Sequence, residues 1–218
     1  MSNLQKRILT SIIIFPISIF FILKGGNYIV SFLYAILILG NFEVFSVFKR
    51  KTSIFFLDIM LFLSLLSILH LRNDTALSFV LLIWIIILTI SSDVGGYLFG
   101  KLFKWKKLTK ISPKKTMSGV LGSFIFSLAS VFLLGIFVHL FTGLDIEIIQ
   151  QPRYYFLAIF FSLAAQLGDL SVSYLKRKEK IKDTGKILPG HGGIFDRIDG
   201  LMFVAILAYI IYTFELFP

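Results

Sequence analysis

Apolar residues fill seven runs along the chain, at 8–23, 28–48, 54–71, 76–99, 117–141, 154–175 and 200–217, and polar residues gather in the breaks between them. Runs of about 16 to 25 residues suit a helix crossing a hydrocarbon core of roughly 30 Å. Lipid offers no water to an unpaired N–H or C=O, so each run must satisfy its own backbone as an α-helix. The pattern predicts an all-α, polytopic integral membrane protein with about seven transmembrane helices. The first run follows Lys6 and Arg7 in the manner of a signal sequence, yet no small-residue cleavage site comes after it, and it reads as a retained first span. No repeat, low-complexity stretch or linker divides the chain. Residues 1–218 therefore read as one membrane domain, with N-terminal helices over 1–75 and the helices and cytoplasmic loops that carry the candidate chemistry over 76–218.

The basic residues orient this bundle. Lys6 and Arg7 precede the first run, Lys49, Arg50 and Lys51 follow the second, seven lysines from Lys101 to Lys115 follow the fourth, and seven basic residues from Lys176 to Arg197 follow the sixth. Only Lys24, Arg72 and Arg153 of the 22 basic residues fall on the other side. The positive-inside rule then predicts a cytoplasmic N-terminus and an external C-terminus, and one span more or fewer would destroy the segregation. The composition agrees, with 57% hydrophobic and 16% charged residues. The net charge of +10 thus expresses orientation in the bilayer; no soluble basic domain exists to bind nucleic acid. The chain has no cysteine, which excludes a disulfide framework and any thiolate metal site.

Three stretches carry candidate chemistry. In the sixth run Gln166, Asp169, Ser173, Lys176 and Arg177 recur at steps of three and four, forming one polar stripe on an apolar helix. An aspartate there costs about 3 kcal/mol to insert, so Asp169 needs a cationic partner such as Lys176 or Arg177, or a metal. Gly168 beside it would let another backbone or a ligand approach closely. The segment 176–199 follows, with Pro189-Gly190-His191-Gly192-Gly193 and then Asp196-Arg197-Ile198-Asp199. Its glycines can turn backbone N–H groups toward an anion. Asp196 and Asp199, three apart at a helix start, either answer the helix dipole or share a face that suits a hard cation. Two aspartates and His191 are too few for zinc; the histidine reads as a phosphate or substrate contact. The fourth run ends with Asp93, Tyr97 and Lys101 on one face. Gly96 and Gly100 beside them form a small-residue pair that helix packing explains at least as well as function. After it, Ser112-Pro113-Lys114-Lys115-Thr116 is either a helix cap with orienting lysines or a cationic clamp for phosphates. Glu43 and Asp58 lie near the basic boundary and are expected to pair or snorkel, without a catalytic role.

Taken together, the order Ser173, Lys176-Arg177, Lys182-Asp183, Pro189-Gly190-His191-Gly192-Gly193 and Asp196-Arg197-x-Asp199 resembles the signature of the phosphatidate cytidylyltransferases. The resemblance extends back through Lys114-Lys115-Thr116 to Asp93, about 130 residues in all. It implies transfer of a cytidylyl group from CTP to phosphatidic acid with Mg²⁺ and raises a homodimer; a short chain without targeting extensions reads as a protein of a bacterial inner membrane. On that resemblance Asp169 and Asp196 are expected to ligate the metal, supported by Asp199 and then by Asp183 and Asp93. Lys176, Arg177 and Arg197 would hold phosphates, with Ser173, Lys114, Lys115, Thr116, His191, Gly192 and Gly193 around the substrates. Two positions depart from the pattern, Ser118 and Val172, where members often carry an acidic or amide residue and a glutamate. The competing class is an ion-coupled transporter using intramembrane carboxylates, which would not require the long segment 176–199.

Overall fold

The computed structural model describes residues 3–109, 111–142, 151–190 and 192–216. Among these, seven helices follow one another: α1 (Asn3–Lys24), α2 (Gly26–Val47), α3 (Lys51–Asn73), α4 (Ala76–Phe103), α5 (Met117–Thr142), α6 (Pro152–Lys178) and α7 (Phe195–Thr213). The pairing otherwise amounts to two isolated bridges, Lys107 with Thr116 and Leu188 with Gly192. The helices α2 to α6 are long and apolar enough to cross a membrane; α1 has a shorter apolar stretch, and α7 opens on the charged residues Asp196, Arg197 and Asp199. The chain is an all-α, multi-pass membrane protein.

Local signals set the helix ends. Thr75 and Ser78 form a reciprocal capping box at the start of α4. Pro152 opens α6, where its missing N–H leaves nothing unpaired. At their polar ends α4 and α6 run about a turn past the apolar runs, and α7 begins before its run. The charged residues Lys101, Lys176, Arg177, Asp196 and Asp199 consequently stand on rigid helix.

One end of the bundle collects the basic connections. The Glu179 carboxylate, just past α6, accepts from the backbone of Lys49 (3.3 Å) and Arg50 (3.1 Å) and from Ser53 Oγ (3.3 Å) at the start of α3. Thr10 Oγ1 of α1 donates to Pro189 O (2.8 Å), and Arg177 donates to Ile111 O between α4 and α5 (3.4 Å). At the other end Arg72 donates to the last carbonyls of α1, and Thr75 bonds Tyr212 of α7 (3.2 Å).

Two apolar clusters fill the interior. One lies among α3 to α7 around Trp84 and Phe161; the other lies among α2, α3, α6 and α7 around Leu57, Val172 and Phe195. Lipid gives no hydrophobic drive between helices, so close approach and buried hydroxyl contacts hold them. Trp84 Nε1 donates to Ser130 (3.1 Å), and Ser92 links to both Ser162 (3.0 Å) and Ser123 (2.8 Å). Gly95 and Gly122 let α4 and α5 touch backbone to backbone, which leaves Gly96 and Gly100 in a packing role beside them.

Gly168 does the same for α6 and α7. A Cβ there would lie 2.5 Å from Asp199 O and 2.8 Å from Phe203. Gly168→Ala should therefore push the two helices apart, costing about 1–3 kcal/mol as overpacking does, visible as a lower apparent melting temperature in detergent. An unchanged melting temperature would show that α6 and α7 yield freely at this contact.

Candidate active site

Where α4, α5, α6 and α7 meet the connection 104–116, a cavity of about 450 Å³ opens at the polar end. Its wall carries five carboxylates, Asp93, Asp169, Asp183, Asp196 and Asp199, and four cationic side chains, Lys114, Lys115, Lys176 and Arg197. Tyr97, Ser112, Thr116, Ser123 and Gln166 add neutral polar groups.

The connection 104–116 is folded back on itself by Leu108 N to Lys115 O (2.8 Å) and Met117 N to Lys106 O (3.0 Å), with a turn closed by Lys115 N to Ser112 O (3.0 Å). That turn delivers Lys115 Nζ to Asp169 Oδ2 at 2.5 Å, while Ser173 Oγ donates to Asp169 Oδ1 at 3.2 Å. Asp169 keeps 34% of its side chain exposed, so this pair stays in reach of water and substrate. Thr116 caps α5, its hydroxyl accepting from Gly119 N (3.1 Å), and the residue also lines the cavity.

Asp196 is held more firmly. Its Oδ1 meets Lys176 Nζ at 2.6 Å in a pair whose side chains are only 8–10% exposed. Oδ2 accepts from Thr184 N (2.8 Å) and Gly193 N (3.1 Å), and Thr184 Oγ1 lies 3.1 Å from it. Asp199 accepts from Gly200 N (2.9 Å), and it and Asp93 stand close enough to Asp169 for the three charges to repel one another.

Several expectations change. Arg177 is exposed and absent from the cavity wall; its guanidinium bonds Ile111 O and Ile181 O (3.0 Å), because on α6 it points about 100° away from Lys176. Arg177→Ala should cost about 0.5–1.5 kcal/mol, the worth of such hydrogen bonds, and leave turnover near wild type; a large loss of turnover would return Arg177 to the site. Ser173 reaches the cavity only through Asp169. The glycine turn serves an internal anion: Gly193 N–H donates to Asp196 and Gly192 N–H to Leu188 O (3.1 Å). Neither is directed to a substrate phosphate, because both donors are used within the fold. His191 lies outside the described residues.

Two participants escaped the sequence reading. Thr184 was hidden as an ordinary loop hydroxyl between Asp183 and Gly185. Glu43, expected to pair or snorkel near the boundary, instead reaches the N-terminus of α7 and accepts from Ile194 N (2.7 Å), Phe195 N (3.4 Å) and Thr184 Oγ1. Its only warning was an acid inside an apolar run.

Residues 50–215 match the family model described as the cytidylyltransferase family. This chain belongs to that family. Every cavity-lining residue falls inside the matched segment, and Glu43 falls outside it. The chain is 44% identical over 142 residues to a phosphatidate cytidylyltransferase of Helicobacter pylori, covering 63% of this chain and 49% of that protein. A phosphatidate cytidylyltransferase of Brucella suis is 34% identical over 148 residues, 67% of this chain and 52% of its own length. One of Staphylococcus saprophyticus is 44% identical over 114 residues, covering 52% and 41%. The chain spans about half the length of the curated relatives it matches or less. Nothing in these matches favours ion-coupled transport.

For this member of the cytidylyltransferase family the two departing positions are informative. Val172 is fully buried in the apolar cluster toward α2 and α3, and Ser118 is buried with its hydroxyl on Thr116 (3.0 Å). Neither lines the cavity. The wall is rich in carboxylate oxygen, the donor a hard divalent cation prefers. Among the described residues no three acidic or histidine side chains already converge as a metal site. A cation that keeps several waters and is shared with phosphates needs only one or two carboxylates, so the donor set fits Mg²⁺.

Proposed function

We propose that the protein transfers the cytidylyl group of CTP to the phosphate of phosphatidic acid, giving CDP-diacylglycerol and pyrophosphate. The observation that carries this reading is the cavity at the polar end of an apolar bundle, where four cationic groups and five carboxylates share one wall in a chain of the cytidylyltransferase family. A lipid phosphate stays at the bilayer surface and a nucleotide stays in water, so their reaction needs such a place. The names of the relatives point to the same pair of substrates.

In the reaction an oxygen of the lipid phosphate bonds to the α-phosphorus of CTP, and the bond from that phosphorus to the α–β bridging oxygen breaks. Pyrophosphate leaves with the electron pair. The lipid phosphate is ionised near neutral pH, so no general base is required. Positioning and charge neutralisation do the work, as in phosphoryl transfer generally. Lys115 and Lys176 reach into the cavity as ammonium donors for phosphate oxygens, with Lys114 and Arg197 on the same wall. The carboxylates leave this wall short of positive charge for a triphosphate. Asp169 and Asp196 would hold Mg²⁺, with Asp199 in support, and the bound ion would supply the missing neutralisation for the triphosphate and departing pyrophosphate.

Purified protein supplied with CTP, phosphatidic acid and Mg²⁺ should form CDP-diacylglycerol and pyrophosphate in equal amounts; absence of both products overturns the proposal. The segregation of basic residues favours a cytoplasmic N-terminus and external C-terminus, and the bacterial relatives favour an inner membrane. The chain lacks cysteine, so a single Lys180→Cys variant offers one thiol. It should react with an impermeant maleimide only after the cells are opened, and labelling of intact cells would reverse the orientation.

A further inference from the structure

We propose that Glu43 is a positioning residue for the reaction: from α2 it latches the segment 184–195 that holds Asp196 in the cavity wall. The role in turnover rests on the proposed cytidylyl transfer; the latch itself rests on geometry alone. Glu43 is 1% exposed and does not line the cavity. Its carboxylate takes the Thr184 hydroxyl on one oxygen and, across the two oxygens, the N–H groups of Ile194 and Phe195. It thereby satisfies the first two N–H groups at the start of α7 from a residue about 150 positions away. The N-cap residue is Ile194, whose apolar side chain makes no cap bond, and a side chain at residue 193 is excluded, since a Cβ on Gly193 would strike both Glu43 Oε1 and Thr184 Oγ1.

Thr184 ties the latch to the site. Its hydroxyl lies against Glu43 and also 3.1 Å from Asp196 Oδ2, but it has one proton to give. With that proton on Glu43, Asp196 Oδ2 is oriented by the backbone donors of Thr184 and Gly193, while Lys176 holds Oδ1. Of the partners of Glu43, Thr184 bonds Asp196 directly, and Ile194 and Phe195 are the two residues that precede it at the start of α7. The N-terminal helices reinforce the same segment through Thr10 on Pro189, and the start of α3 holds Glu179 at the end of α6 before it. Glu43 and Thr10 both precede the family-matched residues 50–215, so this part of the chain contributes to a site it does not line.

Glu43→Ala removes all three acceptor contacts. Glu43→Gln keeps the shape but replaces one acceptor oxygen by a donor, and Thr184→Val removes the hydroxyl that ties Thr184 to Glu43 while leaving the Thr184 N–H on Asp196 and the other two Glu43 contacts in place. Hydrogen–deuterium exchange should accelerate in peptides covering 183–195 for both Glu43 variants, with peptides of the Trp84 and Phe161 cluster unchanged. In the same preparations kcat for CTP should fall about 10- to 100-fold, the usual cost of losing a group that orients a site residue; Thr184→Val should match it and Thr184→Ser should restore it. Unchanged exchange in 183–195 overturns the latch. Faster exchange with unchanged kcat, or faster exchange throughout the molecule, makes Glu43 a support of the fold alone and overturns the positioning role. Wild-type protein without cytidylyl transfer would sink the proposed function and with it the role in turnover, while the exchange data would still decide the latch.

Discussion

Asp169→Asn and Asp196→Asn should each lower CTP turnover on the order of 10²- to 10³-fold or more, the scale of losing one preorganised electrostatic group at a reacting phosphate. Each change keeps the side-chain shape and removes one negative charge. The two variants should differ in stability. Asp169 is one-third exposed, so its neutral form leaves the fold nearly intact. Asp196 is 8% exposed against Lys176, and its neutral form strands a buried ammonium. Initial rates measured against Mg²⁺ concentration should shift to higher metal for both, with partial recovery at excess. Near-normal rates and an unchanged metal dependence in both variants would make these carboxylates structural partners of Lys115 and Lys176 and nothing more.

Lys176→Ala should be the most destabilising lysine replacement in the protein, by about 3–5 kcal/mol, because it leaves the Asp196 carboxylate buried without a counter-charge. Lys115→Ala, at a pair that water reaches, should cost no more than about 1 kcal/mol. Apparent melting temperatures in one detergent compare the two directly. Combining Lys176→Met with Asp196→Asn should recover most of the stability, since no buried charge is then left without a counter-charge and the amide oxygen can still accept from Thr184 N and Gly193 N, and none of the turnover. Equal melting temperatures for Lys176→Ala and Lys115→Ala would mean that the Lys176–Asp196 pair is hydrated, and recovered turnover in the double variant would remove both residues from the chemistry.

How the two lysines differ could not be read from the chain. Lys115 stands in a basic connection and Lys176 on the polar stripe of an apolar run, and both were candidates for holding phosphate. Packing decided that one pair would be enclosed by the Thr184 and Gly193 donors while the other stayed open. The same holds for the neighbours Lys176 and Arg177. Helical periodicity places them on one broad stripe, but the difference of 100° between them sends the first into the cavity and the second onto loop carbonyls.

What the sequence by itself determined follows from the solvent. In hydrocarbon the backbone must be helical and charge is costly, so apolar runs announce the helices and each embedded acid announces a constraint. That logic placed seven helices and the basic connections at one end, and it picked out Asp93, Asp169, Asp196 and Asp199, which line the cavity. It could not choose partners. Glu43 accepts from Ile194 across 151 residues, and Lys115 meets Asp169 across more than fifty. These contacts exist because small residues such as Gly168 let particular helices approach and because two turns deliver their donors into one cavity. A local pattern names a face of a helix; only the packed bundle decides what that face meets, and so only the tertiary structure turned the glycine turn inward onto Asp196 and gave Glu43 its place beneath the site.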